Sequence, residues 1–210
     1  MSSYTNHFLT NVILRIDFVP GEGQLKKELN NAVKEKCIKH FPIVEEKKIE
    51  IQEFRITNNP DLQNTIINTE SAIEWHFFGK NREKELCITS SYIYIESKAY
   101  SSFTEFKDPF WEVLSQLLTT YPELKLNRVG LRYIDKIALI GDKTQRKTWH
   151  AYWQKYISAP LIQGLAFADD DASISRQMNS VDMNYGDHML RFQYGIHNED
   201  YPAPNKKRVF

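Results

Sequence analysis

Residues 129–137 read VGLRYIDKI, and the placement of this stretch decides how the rest of the chain is read. On an extended backbone Val129, Leu131, Tyr133, Asp135 and Ile137 fall on one side, and Gly130, Arg132, Ile134 and Lys136 on the other. Val, Ile and Tyr favour strands, yet Arg132, Asp135 and Lys136 are threaded among them. An antiparallel sheet with one buried and one polar face accounts for both facts.

The same division recurs outward from this stretch. Near the N-terminus, NVILRIDFV sets Val12, Leu14, Ile16 and Phe18 against Ile13, Arg15 and Asp17. In HMLRFQYGI, Leu190, Phe192, Tyr194 and Ile196 oppose Arg191 and Gln193, and Trp75 and Phe77 oppose Glu74 and His76. Between these strands the pattern switches to helical spacing. Leu25, Leu29, Ala32, Val33 and Cys37 predict a helix over 22–40, closed by Phe41-Pro42. A longer helix is predicted over 102–121: Ser102 and Glu105 form a capping box, and Phe106, Phe110, Val113, Leu114 and Leu117 recur on one face. Pro109 is expected to kink that helix or to split off its first turn.

The remaining elements follow from turn chemistry. Strands are predicted over 45–57, 71–79 and 85–97, the last two paired through the polar tip at 80–84, with 58–69 as a loop. After 129–137 come a helix over 144–157, then strands over 161–168, 172–185 and 188–197, with a turn at Tyr185-Gly186-Asp187. The closing DYPAPNKKRVF reads as the approach to a further strand that the chain does not complete. The fold class is therefore α+β, an antiparallel sheet with helices packed on one face. Leu14-Arg15-Ile16-Asp17 is echoed by Leu131-Arg132-Tyr133-Ile134-Asp135, and each echo is followed by a helix and three strands. Two β-α-β-β-β halves, 1–125 with its long helix and 126–210, packed as one globular unit, are one organisation. Two ordinary strands sharing common residues are the other.

Composition bounds the function. The 210 residues carry 27 basic and 27 acidic side chains, so no net field draws the molecule to nucleic acid or to an anionic membrane. Twelve Phe, 11 Tyr and 4 Trp supply large buried areas to a chain that is only 41% hydrophobic. Cys37 and Cys87 sit in apolar segments with no C-x-x-C spacing, as expected of reduced thiols in a cytoplasmic protein. No stretch resembles a signal peptide or a membrane span. Phosphate-loop, dinucleotide and nucleophile-elbow motifs are absent, and no two histidines stand at a metal-ligand spacing. Asp169-Asp170-Asp171 reads as a solvated turn rather than a cation site.

The polar side of the sheet is where binding chemistry would sit. It gathers Arg15, Arg132, Lys136 and Arg191, whose cationic heads suit phosphate or carboxylate. Glu74 and Glu96 are placed to orient those groups or to hold a divalent metal. The ordinary alternative is a solvated sheet face laced with cross-strand ion pairs.

Arg128-Val-Gly-Leu-Arg-Tyr-Ile-Asp135, together with Trp75-His76-Phe77 and Tyr100-x-x-Phe103-x-x-Phe106, resembles a family of sporadically distributed bacterial proteins of unknown function with a G-L-R-Y-I-[ND] signature and about 250 residues. Asp135 stands where that signature often has Asn. The resemblance implies accessory or mobile genes, of the kind found at phage-defence and toxin-antitoxin loci, and carries no catalytic residues. Two functions are therefore expected. One is a non-catalytic regulatory protein that engages a protein partner through its aromatic-rich surfaces. The other is a phosphate- or nucleotide-binding sensor, or a metal-dependent enzyme, using the polar sheet face.

Overall fold

The computed structural model describes residues 8–20, 25, 28–55, 66–137, 154–165 and 174–198, with backbone alone over 50–55 and 66–70 and at 165. Two compact units divide at Asp135 and Lys136. The first unit holds β1 (Leu9–Phe18), α1 (Asn31–His40), β2 (Ile43–Arg55), β3 (Ile66–Phe78), β4 (Lys84–Ile88), β5 (Tyr92–Ser97), α2 (Phe103–Thr120) and β6 (Leu126–Asp135). Its six strands form one antiparallel sheet in the order β2-β3-β4-β5-β1-β6. The fold class expected from the sequence is the one observed.

Alternation along β1 drives this arrangement. Val12, Leu14, Ile16 and Phe18 are buried and join Trp75, Phe77, Leu86, Ile88, Ile93 and Ile95 from the neighbouring strands. Val33 and Cys37 of α1, and Phe106, Phe110, Val113, Leu114 and Leu117 of α2, complete the same core. The two echoing segments turn out to be neighbours, with Leu14 of β1 directly opposite Leu131 of β6.

Helix α2 starts where its cap predicts. The Ser102 side chain accepts a hydrogen bond from the Glu105 backbone N–H at 3.2 Å, and the helix runs through Pro109 without a separate leading turn. Helix α1 does not fill 22–40. Its N-cap is Asn30, whose Oδ1 accepts from the Ala32 N–H at 2.8 Å. Leu25 and Leu29 are buried as their spacing implied, but in non-helical backbone ahead of that cap. Helical spacing here reported burial rather than helix.

Residues 85–97 form a hairpin and not one strand. Thr89 Oγ1 accepts from the Ser91 and Tyr92 backbone N–H groups, each at 3.1 Å, and the Thr89 N–H reaches the Tyr92 carbonyl at 2.9 Å. Thr-Ser-Ser is thus a hydroxyl-closed turn. Four strands rather than three therefore follow α1. The loop expected over 58–69 gives way to strand from Ile66 onward.

The second unit contains α3 (Ala159–Ile162), a 3₁₀ turn (Gln163–Leu165), β7 (Asn179–Tyr185) and β8 (His188–Tyr194). The strand expected over 161–168 is replaced by helical turns through Leu165, because Pro160 presets the dihedral of a first helical turn. Strands β7 and β8 pair antiparallel from Asn179 and Tyr194 down to Tyr185 and His188. Gly186, at φ +60°, opens the two-residue turn between them. Gly195 packs so closely that an added Cβ would lie 2.1 Å from the Gln177 carbonyl oxygen. The helix expected over 144–157, apart from a turn at 154–156, and the Asp169–Asp171 cluster lie outside the described residues.

Two serines five positions apart test this account. Ser102 closes a helix end, so Ser102→Ala is expected to cost about 1 kcal/mol in urea unfolding. Ser97 Oγ is buried on the core face with no hydrogen-bond partner among the described residues. Ser97→Ala is therefore expected to leave stability unchanged or raise it, since the hydroxyl loses water on folding and gains nothing.

Candidate functional site

The face of the sheet turned away from the helices carries the polar residues, and register places them across its width. Glu45 stands opposite His76, and Lys47 opposite Glu74. Cys87 of β4 lies between His76 and Tyr94, and on the far side Arg15 and Asp17 of β1 stand beside Tyr94 and Tyr92 of β5. His76 is the centre of this face. It is 5% exposed, with Nδ1 2.6 Å from Glu85 Oε1 and Nε2 3.1 Å from Glu74 Oε2. Each ring nitrogen thus has a carboxylate oxygen within hydrogen-bond distance.

Each carboxylate has a second donor. Tyr94 OH donates to Glu85 at 2.8 Å, and Tyr92 OH donates to Glu74 at 3.3 Å. Burial, followed by the neighbouring Glu85, pushes the Tyr94 hydroxyl up and keeps it a donor; burial and Glu74 act likewise on Tyr92. Cys87 Sγ lies 3.9 Å from His76 Nε2. Burial first, and then the Glu74 and Glu85 charges, push its thiol up to about 12, so it is no nucleophile near neutral pH.

Of the residues singled out in the sequence, Arg15, Arg132, Glu74 and Glu96 lie on strands of the first unit. Arg15 Nε donates to Asp17 at 2.6 Å, and its guanidinium stacks 3.8 Å from the Tyr92 ring centroid. Arg128 also reaches Asp17, at 2.9 Å. Glu74 is held by His76 and Tyr92, and Glu96 accepts a hydrogen bond from the Asn11 amide. Arg132 stands on β6 opposite Ile13. Lys136 opens the second unit, where Arg191 forms a bidentate pair with Asp182 at 2.7 and 2.8 Å. A cavity of about 230 Å³ lined by Phe78, Arg82, Glu85 and Glu96 lies below the usual range of ligand pockets. Among the described residues no three His, Cys, Asp or Glu side chains converge on a metal-ion position.

The helix side of β6 is different in character. Val129, Leu131 and Tyr133 continue the core face, yet they are 64%, 45% and 46% exposed. Among the described residues strand β6 is the sheet's edge, and Tyr133 meets Tyr100, three positions ahead of α2, edge-on at 5.9 Å and through a side-chain hydrogen bond. The opposite edge, β2, presents Glu45, Glu46, Lys47 and Lys48 in succession. Charged edges resist strand addition, whereas an apolar one invites it.

Comparison with known proteins adds no relative: no family model, no curated protein and no solved structure matches the chain. The sequence places His76 on the polar face but does not mark it as a centre, nor Glu85 as its partner, nor Tyr92 and Tyr94 as the donors to Glu74 and Glu85. The signal was the strict alternation Tyr92-x-Tyr94-x-Glu96, whose second face becomes visible only once Thr89–Ser91 is known to turn.

His76→Leu is expected to lower stability by about 2–3 kcal/mol, because Glu74 and Glu85 would lose the imidazole between them in a largely dehydrated site. Chemical denaturation measures this, and Glu85→Gln in the same background should restore part of the loss. Cys37 and Cys87, the chain's only cysteines, are both buried with thiols pushed up to about 12. Native protein should therefore resist a thiol reagent at pH 8 and react at both sites once unfolded. Because the folded thiols titrate above unfolded ones, their contribution is fully present below about pH 9 and is lost as pH rises toward 12.

Proposed function

We propose that this is a non-catalytic binding protein that engages a protein partner by strand addition at β6. The observation that carries the reading is the exposed row Val129, Leu131 and Tyr133 on an edge strand. Main-chain groups of an edge strand supply affinity for an incoming strand, and alternate side chains supply specificity. The phosphate-binding reading draws less support, since Arg15 is already matched by Asp17 and stacked on Tyr92, and Arg191 is matched by Asp182. A cytoplasmic setting is supported by two buried free thiols and is compatible with no described helix being long and apolar enough to cross a membrane. The resemblance in 128–135 adds a regulatory role at an accessory locus, such as phage defence, to the same proposal.

Val129→Lys/Leu131→Lys tests it. The substitutions lie on exposed positions, so the thermal melt should match that of the partner-free wild type. The full chain used as bait in its host should retain a partner at stoichiometric yield, and the variant should lose it. Equal retention by both proteins, or none by the wild type, would overturn the reading.

A further inference from the structure

The edge of β6 is best matched to itself in one register: an axis through Val129 or Tyr133 would set Leu131 against Asn127 or Asp135 and leave the apolar row unmatched. Two copies of an antiparallel edge strand pair about a twofold axis normal to the sheet, so residues i and j face each other with a constant sum. Because side chains alternate, an odd sum would set the apolar face of one copy against the polar face of the other. Among even sums, an axis through Gly130 places Arg128 directly opposite the second copy's Arg132, and an axis through Arg132 places that residue opposite itself. Like charges directly opposite destabilise a sheet.

An axis through Leu131 avoids both. It sets Leu131 against Leu131 and Val129 against Tyr133 on the exposed apolar face, with Asn127 against Asp135 at the ends. On the polar face it sets Gly130 against Arg132, and Arg128, which already has Asp17, against Ile134. The central stretch is also regular: the ladder between β1 and β6 is continuous from Asn11 and Ile134 to Asp17 and Arg128, with register shifts only beyond those ends. A flat, regular edge is what pairing needs.

We infer that the partner added at β6 is a second copy of this chain, paired antiparallel about Leu131 to give one twelve-stranded sheet. The strand count is the two six-stranded sheets joined at their β6 edges. This rests on the partner-binding reading above and names its occupant. The assembly closes at two copies because the far edge, β2, carries the run Glu45, Glu46, Lys47 and Lys48 and blocks further addition. Aromatic and β-branched residues meeting across such a pair supply the contact, Val129 with Tyr133 twice and Leu131 once at the axis.

Two measurements on the full chain decide it. Sedimentation equilibrium should give a dimer that dissociates on dilution, and Leu131→Lys should shift it to monomer with the melt of the wild type diluted to monomer. The native cysteines are buried, so an introduced cysteine is the accessible thiol and reads the register. Leu131→Cys should cross-link to covalent dimer under mild oxidation, while Val129→Cys, four positions from its own copy across the axis, should not. Wild type that stays monomeric at every concentration overturns the inference. So does a dimer unaffected by Leu131→Lys, or efficient cross-linking by Val129→Cys but not by Leu131→Cys. A monomer that still retains a different protein on β6 would sink the dimer and leave the binding reading standing.

Discussion

The first unit depends on the position of β1. This strand pairs on both edges, with β5 and with β6, while every second side chain enters the helix-covered core. A one-residue slip would turn Val12, Leu14, Ile16 and Phe18 outward and drive Arg15 and Asp17 inward, so one face's burial fixes the register of three strands. The core strands and both helices are organised around that alternation. Burial of apolar side chains at roughly 25 cal/mol per Å² makes the choice decisive, because a charged pair in the same place would have to be dehydrated.

That register also creates the polar face. Residues that read as a binding cluster in one dimension become mutual partners in three: Arg15 with Asp17 and Tyr92, His76 with Glu74 and Glu85, Glu96 with Asn11. A half-buried sheet surface cannot leave such groups unpaired without a cost of about 1–3 kcal/mol each. The pairing across β3, β4 and β5 therefore serves the sheet first. The two tyrosine hydroxyls and the imidazole distribute donors among carboxylates that would otherwise repel one another.

The two edges of the sheet differ in a way its two faces do not. At β2, charged side chains follow one another along the strand, and water competes for any added partner. At β6 the helix layer stops short, so core-type residues continue into solvent. A sheet that protects one edge and leaves the other apolar has a direction of growth.

Much of this was legible in the chain itself. Period-two alternation located β1, whose apolar side is buried, and the serine cap with its apolar stripe located α2, because those signals follow which side of an element meets water. The alternation also marked β6 and β8 as strands, but their apolar faces, Leu190 and Phe192 among them, are largely exposed. Where burial and local hydrogen bonding disagree, spacing misleads. Leu25 and Leu29 are buried outside α1, Thr89–Ser91 breaks what reads as one strand, and Pro160 starts helical turns in place of a strand. What the sequence by itself determined is the two-faced sheet and its charges. Tertiary structure alone decided which charges meet, that His76 lies between Glu74 and Glu85, and that β6 stands at an edge. Such pairings join residues from different strands, and no local pattern encodes which strands will be neighbours.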